Sequence, residues 1–461
     1  MQKNSQDTQY QKMTETPVAR LITALAVPTI VSMLVTSVYN MGDTYFVSQL
    51  GRQASGAVGI VFSLMAIIQA VGFTLGMGSG SLISRLLGAQ NPDRASVIAS
   101  SGFFAALAAG LVITVSGLCF LDPLISLLGA TETIFPYARD YASFILLAAP
   151  VMTASFVLNN LLRAEGRARF AMIGIATGGI LNLLLDPLFI FVFGLGIRGA
   201  AIATALSQCV GFCILLSSFL RNRTSVQLSL HRVSRTAKDY LSIVQTGLPS
   251  FCRQGLASIA TVALNRSAAI YGDAAVAAMS VVGKIFMLIF SVALGYGQGY
   301  QPVVGYNYGA RQYARVRQAF FVVLKVGTGI LLVLSLAGFF AAPQLLNLFL
   351  PGDAEVIAIG ARALRFQCLA APLLALSVAC NMTFQSIGKS WTSTLLSSLR
   401  QGFFFLPLIL LLPAVFGLTG VELTQPLADL LTFLCCIPFA VRFIREIRSL
   451  PERPSGSAPP L

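Results

Sequence analysis

The chain has 461 residues, of which 56% are hydrophobic and only 10% charged, with a formal net charge of +14. A soluble protein carries roughly a quarter charged residues, so this composition argues against a soluble domain and for a membrane protein. The basic excess falls in alternate short loops, as a membrane surface requires, and not in one patch that would grip nucleic acid.

Turn residues and charges divide the chain into twelve predicted helices, most of them longer than the roughly 20 residues that cross a bilayer. Residues 1–19 come first, a polar cytoplasmic tail without the apolar segment and cleavage site of a removed signal peptide. Helices follow at about 20–49, 54–86, 95–121, 137–163, 169–194 and 198–220, making an N-terminal lobe of residues 20–220. A basic linker, 221–239, leads to helices at about 240–270, 274–308, 313–341, 358–386, 392–416 and 420–444, a C-terminal lobe of residues 240–444. Residues 445–461 form a tail that is Pro- and Ser-rich and expected to be disordered. One set of loops holds Arg85, Arg94, Arg163, Arg167, Arg169, Arg311, Arg315, Arg317 and Lys389, and the linker and the C-terminal tail belong with it. The opposite set offers mainly Arg52, Arg139 and Arg198 among acidic residues. Basic loops stay inside, so the chain is expected to be a multi-pass protein of the cell (inner) membrane with both termini cytoplasmic.

An internal repeat organises the two lobes. Pro28 recurs as Pro249 (249 − 28 = 221), Gly76-Met77-Gly78 as Gly297-Gln298-Gly299 (297 − 76 = 221), and Gly88-Ala89 as Gly309-Ala310 (309 − 88 = 221). Asn159 and Gly166 match Asn381 and Gly388 at 222, and Phe193-Gly194-Leu195 matches Phe416-Gly417-Leu418 at 223. Six helices is an even number, so the halves share one orientation and the repeat is parallel. The fold class is therefore all-α, a membrane protein of about twelve helices in two six-helix repeats, with a transport pathway expected between them.

An ionisable side chain at membrane depth costs at least a few kcal/mol and calls for an explanation. Asp43 lies seven residues before the outer end of the first helix (50 − 43 = 7), and Asp186 eight before that of the fifth (194 − 186 = 8). At 1.5 Å per residue both sit roughly 10–12 Å below the outer surface. Asn182 is one turn from Asp186 on the same face, Pro187 breaks the ladder beside them, and Thr204 enters the sixth helix at similar depth. Two carboxylates, an amide and a hydroxyl suit a hard cation, and equally a proton, because two buried carboxylates resist carrying both charges. A static hydrogen-bond network is the bland alternative; no basic residue at that depth in this half neutralises the pair. The second half places Leu264 opposite Asp43 (264 − 43 = 221) and carries Arg253, Lys284 and Asp429 in its helices. A Lys284–Asp429 ion pair is expected there. The repeated Gly-x-Gly segments are read as points of close helix contact. His231, the single histidine, stands in a basic loop and leaves no histidine metal site, and the eight cysteines lie in apolar segments as packing residues.

These segments resemble the multidrug and toxic compound extrusion (MATE) transporters. The resemblance rests on Tyr39-Asn40-Met41-Gly42-Asp43-Thr44, on Asn182 through Pro187, on Gly194 through Thr204, and on Gly295 through Gly309 with Gln301-Pro302 and Tyr306-Asn307-Tyr308-Gly309. Asp43 with Asn182-x-x-x-Asp186-Pro187 looks like the DNA-damage-inducible branch, whose cation site lies in the N-terminal lobe. That resemblance implies a V-shaped two-lobe fold and alternating access. It also implies export of amphiphilic, mostly cationic drugs in exchange for H⁺ or Na⁺, with no cofactor and no metal beyond Na⁺. Expected partners are those compounds and membrane lipids, with no nucleic acid, and the chain is expected to act as a monomer. The other bacterial branch has an acidic residue in the seventh helix, where this chain reads Phe251-Cys252-Arg253-Gln254. A flippase for lipid-linked precursors fits the same superfamily but needs several cationic groups in its cavity, and the N-terminal half offers almost none. An intramembrane enzyme is the different-class alternative: paired aspartates could cut peptide bonds, but Asn40 breaks the Gly-x-Gly-Asp signature, and no Walker sequence surrounds Gly388-Lys389-Ser390. A receptor is the remaining reading.

Overall fold

The computed structural model describes residues 2–221, 223–349 and 351–451, and among these only helices and turns occur. The N-terminal lobe is built from α2 (Val18–Ser48), α3 (Arg52–Gly88), α4 (Pro92–Cys119), α6 (Phe135–Ala164), α7 (Ala168–Pro187) and α8 (Gly196–Leu220), after a short α1 (Gln2–Glu15) and with a brief α5 (Leu121–Leu127) between α4 and α6. The C-terminal lobe repeats the plan with α9 (Ala237–Ala269), α10 (Asp273–Gly309), α11 (Tyr313–Phe340), a brief α12 (Ala342–Phe349), the broken pair α13 (Ala354–Ala370) and α14 (Leu374–Ser386), the broken pair α15 (Ser390–Ser398) and α16 (Leu406–Phe416), and α17 (Leu418–Ser449). Two of the breaks are wide π turns, Leu188–Val192 after Pro187 and Leu399–Phe405 between α15 and α16.

Twelve helical rods match the twelve predicted segments, and eleven of them are long and apolar enough to span a bilayer among the described residues. The remaining one is α9. Arg253, Gln254, Asn265 and Arg266 dilute its apolar character, yet it packs between α3 and α15 as the seventh rod of the bundle.

Backbone geometry carries the repeat into three dimensions. Left-handed residues come in pairs at the offsets read from the sequence: Gly51 with Gly272, Gln90 with Arg311, Gly129 with Gly352, Gly166 with Gly388, and Gly194 with Gly417. Asn159 donates its side-chain amide to the carbonyl of Ala171 at 3.1 Å, and Asn381 does the same to Ser393 at 3.0 Å. Both ends of that bond are displaced by 222, so each lobe folds its fourth and fifth helices together in the same way.

The core shows how the lobes meet. One apolar cluster joins α2, α3 and α6 to α10, α14 and α17 at the end of the molecule that holds both termini. At the far end the core separates: one cluster belongs to the N-terminal lobe alone (Val47 to Ala201), another to the C-terminal lobe alone (Ala260 to Ala428). The lobes therefore form a V that is closed at the terminal end and open at the far end. Glycine makes the closed end possible. A Cβ at Gly78 would stand 2.0 Å from the carbonyl of Ile243, and one at Gly299 would stand 2.4 Å from Cα of Ala26. These are the Gly-x-Gly segments of the repeat, and they bring α3 onto α9 and α10 onto α2 as no larger residue allows.

The sequence reads residues 1–19 as a tail, but residues 2–15 form the helix α1, docked under the closed end. Met13 is buried, Gln9 donates to the carbonyl of Glu165 at 2.7 Å, and Asn307 donates to the carbonyl of Met13 at 3.2 Å. Helix α17 continues through residues 445–449, and the segment after 451, expected to be disordered, lies outside the described residues.

Glu165, just beyond α6, ties the linker to this end: its carboxylate accepts from the backbone N–H groups of Ser225 (2.7 Å) and Val226 (3.2 Å), with Arg167 at 3.5 Å. Complete burial outweighs those bonds and pushes its carboxyl up to about 7, from an ordinary value of 4.5. Between these two values the folded protein binds the proton more tightly than the unfolded chain, so stability falls as pH rises from about 4.5 to about 7. The thermal midpoint in detergent should drop across that window for the wild type and less for Glu165→Gln. Parallel pH profiles for the two proteins would contradict this assignment.

Candidate functional site

Asp43 reaches the site from α2, Asn182 and Asp186 from α7, and Thr204 from α8. Helices α2 and α7 approach closely because Gly42 faces Leu183: an added Cβ would fall 2.3 Å from the leucine methyl. Pro187 leaves the carbonyl of Leu183 without its helical donor, and the wide turn Leu188–Val192 follows at once.

The structure brings the four N-lobe residues together. The Asn182 amide nitrogen donates to Asp186 Oδ1 at 3.2 Å and to Thr204 Oγ1 at 3.3 Å. Asp186 is fully buried and close enough to Asp43 for the two carboxylates to repel one another. Tyr141, fully buried on α6, turns its hydroxyl towards Asp43 and Thr204 without meeting hydrogen-bond geometry to either. Tyr39 flanks Asp43 from the preceding turn and interacts with Gln208.

The hydrogen-bond ledger of this cluster does not close. Asp43 Oδ1, Asp186 Oδ2 and Asn182 Oδ1 are buried acceptors without a donor, and the Tyr141 and Ser207 hydroxyls are also unpaired. No lysine or arginine among the described residues forms an ion pair with either aspartate; Arg139 and Arg198 pair with Asp122 and Asp140 instead. Buried acceptors normally find donors, so the surplus here is a departure, and its chemistry is suited to a cation or a proton. Tyr141 is not singled out by the sequence reading, although it sits six residues inside α6 (141 − 135 = 6), close to the depth of Asp186 from its own helix end.

The C-terminal lobe is different, and here the expected Lys284–Asp429 pair is wrong. Asp429 is fully buried and bound by Arg400: Nε donates to Oδ1 at 2.6 Å and Nη2 to Oδ2 at 3.4 Å. Gln425 adds a bond at 2.8 Å, and the guanidinium lies over the Phe290 ring at 4.6 Å. Lys284 stands on an exposed face of α10 and makes no ion pair among the described residues. Arg400 lies on the wide turn between α15 and α16, whose geometry swings it towards α17. Its place in the middle of the predicted span 392–416 is the signal in the sequence.

The sequence of this chain matches the MatE family model over residues 28–188 and 249–411, one match in each lobe. The chain belongs to the MatE family. Membership places it among transporters and not among enzymes. Two curated relatives are the multidrug export proteins MepA of Staphylococcus aureus (strain MSSA476), 26% identical over 434 residues, and of Staphylococcus saprophyticus, 26% identical over 413 residues. The first alignment covers 94% of this chain and 95% of the relative, the second 89% and 91%. Among solved structures, the outward-facing conformation of a multidrug resistance MATE family transporter of the MOP superfamily superposes with a TM-score of 0.91 at 28% identity, covering 95% of this chain and 98% of that one. A MATE in the straight conformation gives 0.90 at 28% identity, covering 96% and 99%.

Removing one partner of the C-lobe pair should strand the other charge at a cost of roughly 3–5 kcal/mol. Asp429→Asn is therefore expected to lower the thermal midpoint. Adding Arg400→Met should restore most of it, while Lys284→Met should restore none. Rescue by the lysine variant alone would contradict the pairing seen here.

Proposed function

We propose that this MatE-family chain is a secondary multidrug efflux antiporter, exporting amphiphilic, mostly cationic compounds from the cytoplasm in exchange for H⁺ or Na⁺ held by Asp43, Asn182, Asp186 and Thr204. The surplus of buried, donorless acceptors at these residues carries the reading. The names of the relatives, multidrug export proteins, supply the substrate class.

Orientation follows from charge. The closed end carries the arginine-rich loops and both termini, so it faces the cytoplasm, and the V opens outward. In that state the N-lobe site draws its ion from outside. One bound cation or proton relieves the repulsion between the carboxylates, and an incoming cationic drug competes for the same negative field. Exchange needs no further chemistry. Each lobe orientation offers the site to one side of the membrane, and loading by the ion on the outside favours release of the drug there. Tyr39 and Tyr141 add aromatic faces beside the carboxylates, which suit quaternary ammonium groups.

Proteoliposomes with an imposed H⁺ or Na⁺ gradient test this directly. Asp43→Asn and Asp186→Asn should each abolish gradient-driven dye export while leaving folding intact. Asn182→Ala and Thr204→Ala remove one neutral ligand each, worth about 1 kcal/mol, and should weaken coupling several-fold. Normal gradient-driven export by either aspartate variant would overturn the assignment.

A further inference from the structure

Arg163, at the terminal end of α6, is the one buried basic residue among the described residues, at 5% exposure. Its guanidinium crosses the lobe boundary to the Gln298 side-chain oxygen on α10 and bonds Asn160 Oδ1 at 2.5 Å. Both partners are neutral, and no carboxylate of the described residues pairs with it. Glu165, two residues on, directs its carboxylate to Ser225, Val226 and Arg167. Outside the N-lobe carboxylate cluster, enclosed charges in this protein have charged partners: Asp429 has Arg400, and Glu422 has Arg362. A buried charge that is neither paired nor solvated is strongly disfavoured, so Arg163 requires a counter-charge.

The space for one is present. Arg163 lines a small, partly open cavity of about 20 Å³ between the lobes, with Ser81 and Asn160 from one lobe and Gln298, Gln301 and Ser386 from the other. That volume accommodates a single water-sized occupant. The lining is uncharged apart from Arg163. Ser386 donates its hydroxyl to the Met382 carbonyl. Asn160 and Gln301 each use one amide hydrogen, on the carbonyl of Phe156 and on Gln385 Oε1, and keep a second that can donate to an anion. A phosphate, sulfate or carboxylate is too large. We propose that this cavity is a site for one small monovalent anion, chloride under physiological conditions, held by Arg163 between the lobes. Because both lobes build the cavity, the anion binds the closed arrangement of this end and is released when the lobes part. Chloride then biases the conformational equilibrium by its preference for one state, a role separate from the cation site near the far end.

The full-length protein is melted in detergent at constant ionic strength while chloride replaces gluconate, an anion too large to enter. The wild type should gain roughly 1–3 °C in a saturable manner. Arg163→Gln should show no chloride dependence, and Arg163→Lys, which keeps the charge, should retain part of it. Crystals grown in bromide should show an anomalous peak beside the Arg163 guanidinium, an outcome independent of how any variant folds. Identical melting in chloride and gluconate, a chloride effect that survives in Arg163→Gln, or bromide absent from the cavity would each overturn the proposal.

Discussion

Two carboxylates share a membrane-buried pocket without a basic partner, and the working parts of this protein depend on that imbalance. Asp43 Oδ1, Asp186 Oδ2 and Asn182 Oδ1 have no donors inside a protein that pairs nearly all its other buried acids. Leaving such charges empty in a bilayer is costly, so under the proposed function the N-terminal lobe is most stable with something positive bound. A transporter needs this property: a site whose occupant is required yet mobile. The helices around it serve the same end, since Gly42 lets α2 close on α7 and Pro187 frees a carbonyl beside Asp186.

The repeat makes the asymmetry between lobes informative. The same hydrogen bond fixes the fourth and fifth helices of each half, and the same left-handed residues turn each chain. Within that shared frame the C-terminal lobe supplies its own cation: Arg400 binds Asp429, with Gln425 and Phe290 completing its surroundings. A tethered guanidinium cannot leave. One lobe thus carries a permanent positive partner; under the proposed function the other carries an exchangeable one, which confines ion coupling to the N-terminal half while the C-terminal half supplies packing and movement.

Much of this is legible in the sequence for simple reasons. Membrane spans announce themselves by length, a parallel repeat by a constant offset, and the Asn182–Asp186 spacing by helical geometry alone. What escapes depends on contacts between distant segments. Tyr141 belongs to the cluster only because α6 packs against α8, which carries Thr204, and α7, which carries Asp186. Arg400 goes unnoticed when basic residues are counted mainly in loops, and only a wide turn brings it to Asp429. Helix α1 reads as a tail since a short polar helix has no apolar period; its hold comes from Gln9, Met13 and their partners on both lobes. The weak apolar character of α9 is likewise explained by its neighbours, which shield Arg253 and Gln254 within the bundle.

Infrared difference spectroscopy on the purified protein, comparing its acidic and neutral states with and without Na⁺, reads the charge of the two aspartates directly. If the donorless acceptors form the ion site, the wild type shows a protonated-carboxyl band in the absence of Na⁺. That band disappears when Na⁺ binds or when pH rises, and it is missing from Asp186→Asn. A wild-type spectrum in which both carboxylates stay ionised throughout, indifferent to Na⁺ and pH, would contradict the claim that this pocket holds an exchangeable cation.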